Sequence, residues 1–171
     1  MNADDFYKEI KALTPQVEDF KDYSLDFAEL YLKEKKIEPL QEPLAFMPEH
    51  PVLDLIGRYD VSSLVIQIYG FFQPDDVGES DNYIYFGNRE AFLVAIEKKS
   101  GRIAEIDYNE EYVVCYLAQD ESHFLDFLVA LERLNQKRMF KIISNEERDK
   151  QLKSLIPLMG GDEYAQVLED L

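Results

Sequence analysis

The chain has 171 residues, 46% of them hydrophobic and 13% aromatic, with eleven Tyr, eleven Phe and a formal net charge of -17. That length fits one domain able to bury its own core without metal or disulfide staples, and so much apolar and aromatic mass excludes an acidic disordered chain. The charge argues against nucleic acid as a partner, because binding its backbone needs clustered cations, and a single cysteine excludes an internal disulfide.

Residues 1–36 read as helical. Phe6, Tyr7, Ile10 and Leu13 recur at three-to-four-residue spacing, and Thr14 before Pro15 reads as a restart. Phe20, Tyr23, Phe27, Leu30 and Tyr31 then keep one face of a helix that ends near Lys35 and Lys36, where cations suit the carboxyl end; these aromatics are expected in the core. MNADDFYKEI has neither the basic start nor the apolar run of a signal peptide, and no apolar stretch reaches spanning length. A cytoplasmic location and no membrane partner are therefore expected.

Pro39, Pro43, Pro48 and Pro51 punctuate the next segment and exclude a long regular element there. A sheet is expected over residues 52–117. VLDLI and VSSLVIQIYGFF read as two strands broken at Gly57 and Gly70, joined by a polar bend at Arg58, Tyr59 and Asp60. QPDDVGESDN reads as a loop. Four further runs follow: NYIYFG, EAFLVAI, RIAEID and EEYVVCYL, with a Lys98–Gly101 hairpin turn between the middle two. Ile103 and Ile106 break a clean two-residue period, which points to a bulge. Cys115, inside the last run, is expected to act as a small buried hydrophobe.

Helices are expected over residues 120–171. Asp120 or Ser122 can cap one with the stripe Phe124, Phe127, Leu128, Leu131 and Leu134, laid across one face of the sheet. Ser144 and Glu147 have capping-box spacing, Gly160 and Gly161 stop the helix that follows, and Tyr164, Leu168 and Leu171 can line a short terminal one. The fold class expected is α+β: a single domain with a twisted, mostly antiparallel sheet of five or six strands flanked by helices.

No constellation of His, Cys, Ser or Lys beside acids resembles a catalytic centre, so a binding role is expected and no enzymatic one. Glu90, Glu97, Glu105 and Asp107 read as solvent-facing members of an amphipathic sheet. His50 and His123 belong to no metal motif, the QPDDVGESDN loop lacks calcium-loop spacing, and the scattered glycines form no phosphate cradle; no cofactor is expected. The one short basic patch, Lys137, Arg138 and Lys141, reads as the charged end of a helix. From Glu38 to Glu90 ten acids face only Arg58 and Arg89, leaving ten minus two, or -8, in that stretch. Such a field attracts a basic protein and speeds its encounter.

The pattern from YIYFG through the AFLVAIEKKSGRIAEID hairpin to SHFLDFL resembles the SUKH, or SMI1/KNR4-like, superfamily. The resemblance implies an α+β domain with a central sheet accompanied by helices. For bacterial members it implies an immunity protein that binds and neutralises a cognate toxin, often a nuclease; for eukaryotic relatives it implies a regulatory or scaffold interaction module. The chain lacks the Trp common in the front half of such domains. Asp75, Asp76, Glu79 and Asp81 are the expected contact residues, with Tyr83 as an aromatic anchor and Tyr59 and Asp60 as an extension from the neighbouring bend. Both monomer and homodimer are compatible with the sequence.

Overall fold

The computed structural model describes residues 1–44, 47–109 and 111–171. Its helices are α1 (Ala3–Leu13), α2 (Leu25–Glu34), α3 (Pro51–Arg58), α4 (Glu121–Met139), α5 (Asn145–Lys153) and α6 (Ile156–Met159). Its strands are β1 (Glu38–Pro39), β2 (Tyr59–Asp60), β3 (Val65–Ile66), β4 (Tyr69–Phe71), β5 (Gly78–Glu79), β6 (Tyr83–Arg89), β7 (Phe92–Glu97), β8 (Ile103–Asp107) and β9 (Tyr112–Ala118). Seven strands form one sheet in the order β3-β4-β6-β7-β8-β9, with β5 also paired to β6, while β1 and β2 make a separate ribbon. Every pairing among the described residues is antiparallel. This is the expected α+β architecture with a larger sheet.

The four strongest strand runs become β6 to β9, and Gly101 adopts φ 76° in the β7–β8 turn. Glu110, the first residue of the fourth run, lies outside the described residues. The anomaly at Ile103 and Ile106 has two causes. Register shifts occur at Ile103/Ala104 and Glu105/Ile106 where β8 meets β9. In addition, both faces of the sheet bury apolar side chains: Ile103 joins the main core and Ile106 a second cluster with Tyr83, Ala95 and Ala104.

The main core lies between one sheet face and α4. Asp120 caps α4 by accepting from His123 N, and Phe124, Phe127, Leu128, Leu131 and Leu134 are buried along one stripe, as periodicity required. Phe124 meets Tyr69 and Phe86 edge-on at 5.8 Å each, a geometry that aligns ring edge with ring face. Ser144 caps α5, and Gly160 at φ 113° ends α6. Residues Asp162–Asp170 form a 3-10 helix that buries Tyr164 and Val167, whereas Leu168 and Leu171 are only half-buried.

Several expectations are corrected. VLDLI is not a strand: Pro51 at the first turn, with Val52, Leu55 and Ile56 on one face, makes the short helix α3, and Gly57 sits within it against Leu44. Thr14 ends α1, its hydroxyl and backbone N–H both donating to the Ile10 carbonyl, and the next α-helix waits for Ser24, which caps α2. VSSLVIQIYGFF folds back on itself as the β3–β4 hairpin, with Gln67 at φ 59° in the turn. The expected loop QPDDVGESDN contains the two-residue strand β5. Cys115 is half-buried. Glu105 does not face solvent; it is 2% exposed and accepts from Arg89 Nη1 at 2.5 Å, with the Arg89 guanidinium 5.8 Å from the Tyr69 ring centre.

Gly87 of β6 lies tight against the backbone of β4. A Cβ built there would fall well inside contact distance of the Gly70 carbonyl oxygen, which is backbone and cannot swing aside. Gly87→Ala is expected to cost about 1–3 kcal/mol, measured as a lower midpoint in denaturant unfolding.

Candidate functional site

Asp75 and Asp76 lie on a 3-10 turn (Pro74–Asp76), Glu79 on β5, and Asp81 in the turn before β6. All four carboxylates are exposed. Pro74 starts the turn and the Val77 N–H closes it on the Pro74 carbonyl, so the acids occur on a defined backbone. Glu79 is paired with Lys98 at 2.5 Å, and Lys98 also donates to the Ser80 carbonyl at 2.6 Å, anchoring β5 to the β7–β8 turn. Among the described residues Asp75, Asp76 and Asp81 have no ion pair, so their charge is uncompensated locally.

Asp60 belongs with this end of the molecule. It shares a hollow of about 160 Å³ with Pro74 and Gln73, and its Oδ1 accepts from both Ser62 N and Ser62 Oγ. Neither tyrosine is exposed as expected. Tyr83 is 8% exposed, packed on Ala95, Ala104 and Ile106 as the strand alternation demands for a residue opposite Glu97. Tyr59 is 7% exposed, stacks on Tyr7 at 4.6 Å and donates to Asp4 Oδ1. Burial, then that hydrogen bond, push its phenol up to about 12, and the same bond, helped by Arg58, holds the Asp4 carboxyl below its ordinary value.

The sheet face opposite α4 is lined by tyrosines and acids together. Ala95 and Ala104 pair directly, and their small side chains leave room for Tyr83, Tyr85 and Tyr116 to pack over them. Arg102 lies 3.5 Å from the centre of the Tyr116 ring, close enough for a cation–π contact. Glu97 accepts from Ser100, Tyr116 OH and Arg102, and these bonds, Ser100 first, hold its carboxyl below the ordinary value against the effect of burial. Tyr85 OH reaches Glu111 at 3.4 Å. Tyr108, at 71% exposure, stands in the β8–β9 turn, whereas Tyr112, at 50%, neighbours Val113 of this face in β9 and so points to the other side of the sheet. Alternation could have located these tyrosines, but only the register shows which of them share a face.

A second polar centre lies between α2 and α4, and sequence reading missed it. Lys35 Nζ lies 3.0 Å from Glu132 Oε2 with both side chains at or below 5% exposure, and it donates to the Val65 carbonyl as well. Tyr31 OH and Gln136 Nε2 both donate to Glu132 Oε1. Burial, then the carboxylate, push the Tyr31 phenol far up. A groove of about 500 Å³ opens above this network. Of the expected core aromatics only Phe20 is buried; Phe27, at 39% exposure, stands on the groove wall stacked with Tyr23 at 4.8 Å. The basic patch is split: Arg138 and Lys141 line the groove and Lys137 does not, and Lys141 pairs with Asp22.

Among the described residues no three His, Cys, Asp or Glu side chains converge in a metal-binding geometry. Among the described residues no helix is long and apolar enough to cross a membrane. No family model matches the chain, and neither any curated protein nor any solved structure matches it.

The histidines have structural partners. His123 Nδ1 lies 2.8 Å from Asp120 at the α4 cap, and His50 Nδ1 lies 3.0 Å from Glu121 Oε1. Glu121 Oε2 accepts from Val52 N at 2.8 Å, so α4 supplies the cap that α3 lacks from its own residues. Burial raises the Glu121 carboxyl above its usual 4.5, outweighing His50 and the Val52 N–H. The folded chain therefore keeps a proton there at pH values where the unfolded chain has released it, and stability falls as pH rises from about the unfolded value through the raised folded one. Unfolding titrations across that window should show wild type losing stability relative to Glu121→Gln as pH rises.

Proposed function

We propose that the chain is an acidic protein-binding domain of the SUKH type, acting in the cytoplasm as an immunity protein that sequesters a cognate bacterial toxin domain with a basic surface, such as a nuclease. The observation that carries this reading is the concentration of Asp75, Asp76 and Asp81, exposed and among the described residues without ion pairs, on the turns either side of β5, which the Glu79–Lys98 pair pins to the sheet. Fixed carboxylates lose little freedom when a cationic partner arrives, and their field accelerates the encounter.

Asp60 extends the acidic end beside Pro74. The adjoining tyrosine face supplies aromatic and hydroxyl contacts of the kind enriched where proteins meet, with Tyr85 and Tyr116 half-buried on it and Tyr108 exposed in the β8–β9 turn. Tyr108 takes the anchoring role first expected of Tyr83. The toxin-neutralising form of the proposal rests on the family resemblance in YIYFG, the AFLVAIEKKSGRIAEID hairpin and SHFLDFL, and the acidic surface supports it by chemistry.

A basic toxin fragment encoded beside this gene provides the test. Its association with wild type should be fast at low salt and fall steeply with ionic strength, and the toxin should lose activity when the complex forms. Replacing Asp75, Asp76 and Asp81 by Asn and Glu79 by Gln together should slow association by about tenfold or more and flatten the salt dependence. Unchanged rates would remove this end from the interface, and full toxin activity in the complex would defeat the immunity role.

A further inference from the structure

Helix α2 is apolar on more sides than the fold covers. Of its ten residues, all among those described, only Ala28 is buried. Tyr31 and Lys35, three and seven positions after Ala28, attach that side of the helix to Glu132 of α4. Leu30 is two residues from Ala28 and so points away from the body, where it is 56% exposed, with Phe27 beside it at 39%. A ten-residue helix is marginal in water and draws its stability from burial. Apolar residues on opposite sides mark a helix with neighbours on both.

The charges on the outward side select that second neighbour. Asp26, Leu30 and Lys33, at spacings of four and three, form one stripe with an acid at its start, an apolar residue at its centre and a base at its end. Asp26 and Lys33 are exposed and have no ion pair among the described residues. Turned end for end, the stripe is its own complement: Leu30 meets Leu30, and each Asp26 meets Lys33 of the other copy. A parallel arrangement would set Asp26 against Asp26 and Lys33 against Lys33. The field of the molecule points the same way. Two copies at net charge -17 repel each other, whereas Leu25 to Lys36 holds Asp26, Glu29 and Glu34 against Lys33, Lys35 and Lys36 and is neutral.

We infer that α2 is the interface of a homodimer, in which the α2 helices of two copies of this chain pack antiparallel across a twofold axis at Leu30. The twofold repeats each contact and closes the assembly at two copies. Leu30 and Phe27 supply the apolar centre, and the two Asp26–Lys33 pairs fix register and direction. One short helix per copy buries less than the roughly 1,200 Å² of a standard interface, so the dimer is weak and forms with concentration. The interface shares no residue with the acidic end, and its failure would leave the toxin-binding reading as it stands.

The test is sedimentation velocity on the full chain from about 10 μM to about 1 mM in about 0.15 M salt. The weight-average mass should climb from one chain toward two. Leu30→Glu sets two carboxylates together at the axis and should raise the dissociation constant by about tenfold or more. Asp26→Lys and Lys33→Asp each make like charges face one another and should each weaken self-association by about tenfold. An equal mixture of those two variants should dimerise more tightly than either alone, because every cross pair is then opposite in sign. A chain that stays monomeric throughout overturns the proposal, as does a dimer that Leu30→Glu leaves unmoved or a mixture no tighter than its parts.

Discussion

The crossing of α4 over the sheet, where Phe124 meets Tyr69 and Phe86 and Phe127 meets Tyr69, is the contact on which the other elements depend. The edge-to-face rings set both the distance and the angle of that helix. From there α4 reaches in every direction. Its first residue, Glu121, caps α3; Glu132, further along, holds α2 through Lys35 and Tyr31; and Asp126 receives the amino-terminal ammonium. The three polar attachments are charge-assisted and two of their carboxylates are buried, so each is costly to break from one side only. The helical layer is thus organised around a single rod whose apolar stripe faces the strands and whose acids hold its neighbours.

The two faces of the sheet are built for different purposes. Toward α4, large aliphatic and phenyl side chains interlock. On the other face, paired alanines let phenol rings lie close, and hydroxyls and carboxylates surround them. No helix of the described chain covers that second face, yet it is not an oily patch, because each phenol ring presents a polar tip. The exposed acids Asp75, Asp76, Glu79 and Asp81 lie around β5, which pairs with β6 at one end of the same sheet. A domain arranged this way keeps its core and its contact surface apart, so that substitutions at Asp75, Asp76 and Asp81 leave packing untouched.

The strands from Tyr83 to Ala118 and the helix from Glu121 were legible because alternation and helical periodicity ran long enough to be unambiguous. Ser144, Gly101 and Gly160 declared themselves as punctuation for the same local reasons. Short runs misled. VLDLI is as apolar as a strand, and its helical state is decided by Pro51 and by a carboxylate 69 positions away. Tyr83 and Tyr59 looked available because a sequence shows where a ring is attached and not which way it points. The buried Lys35 illustrates the same limit: at the end of α2 a lysine has a sufficient local reason to exist, and only the tertiary structure reveals its partnership with Glu132. The four surface acids needed no such information, since a charged turn punctuated by Pro and Gly stays outside in almost any fold.

The borrowed cap on α3 also bears on how the chain assembles. Eight residues are too few to sustain a helix in water, and this one has no side chain of its own to satisfy its opening amides. It becomes helical only when another segment arrives carrying the missing acceptor. The stretch around residue 50 therefore couples two distant parts of the chain, and whatever loosens the start of the long helix weakens the short one with it.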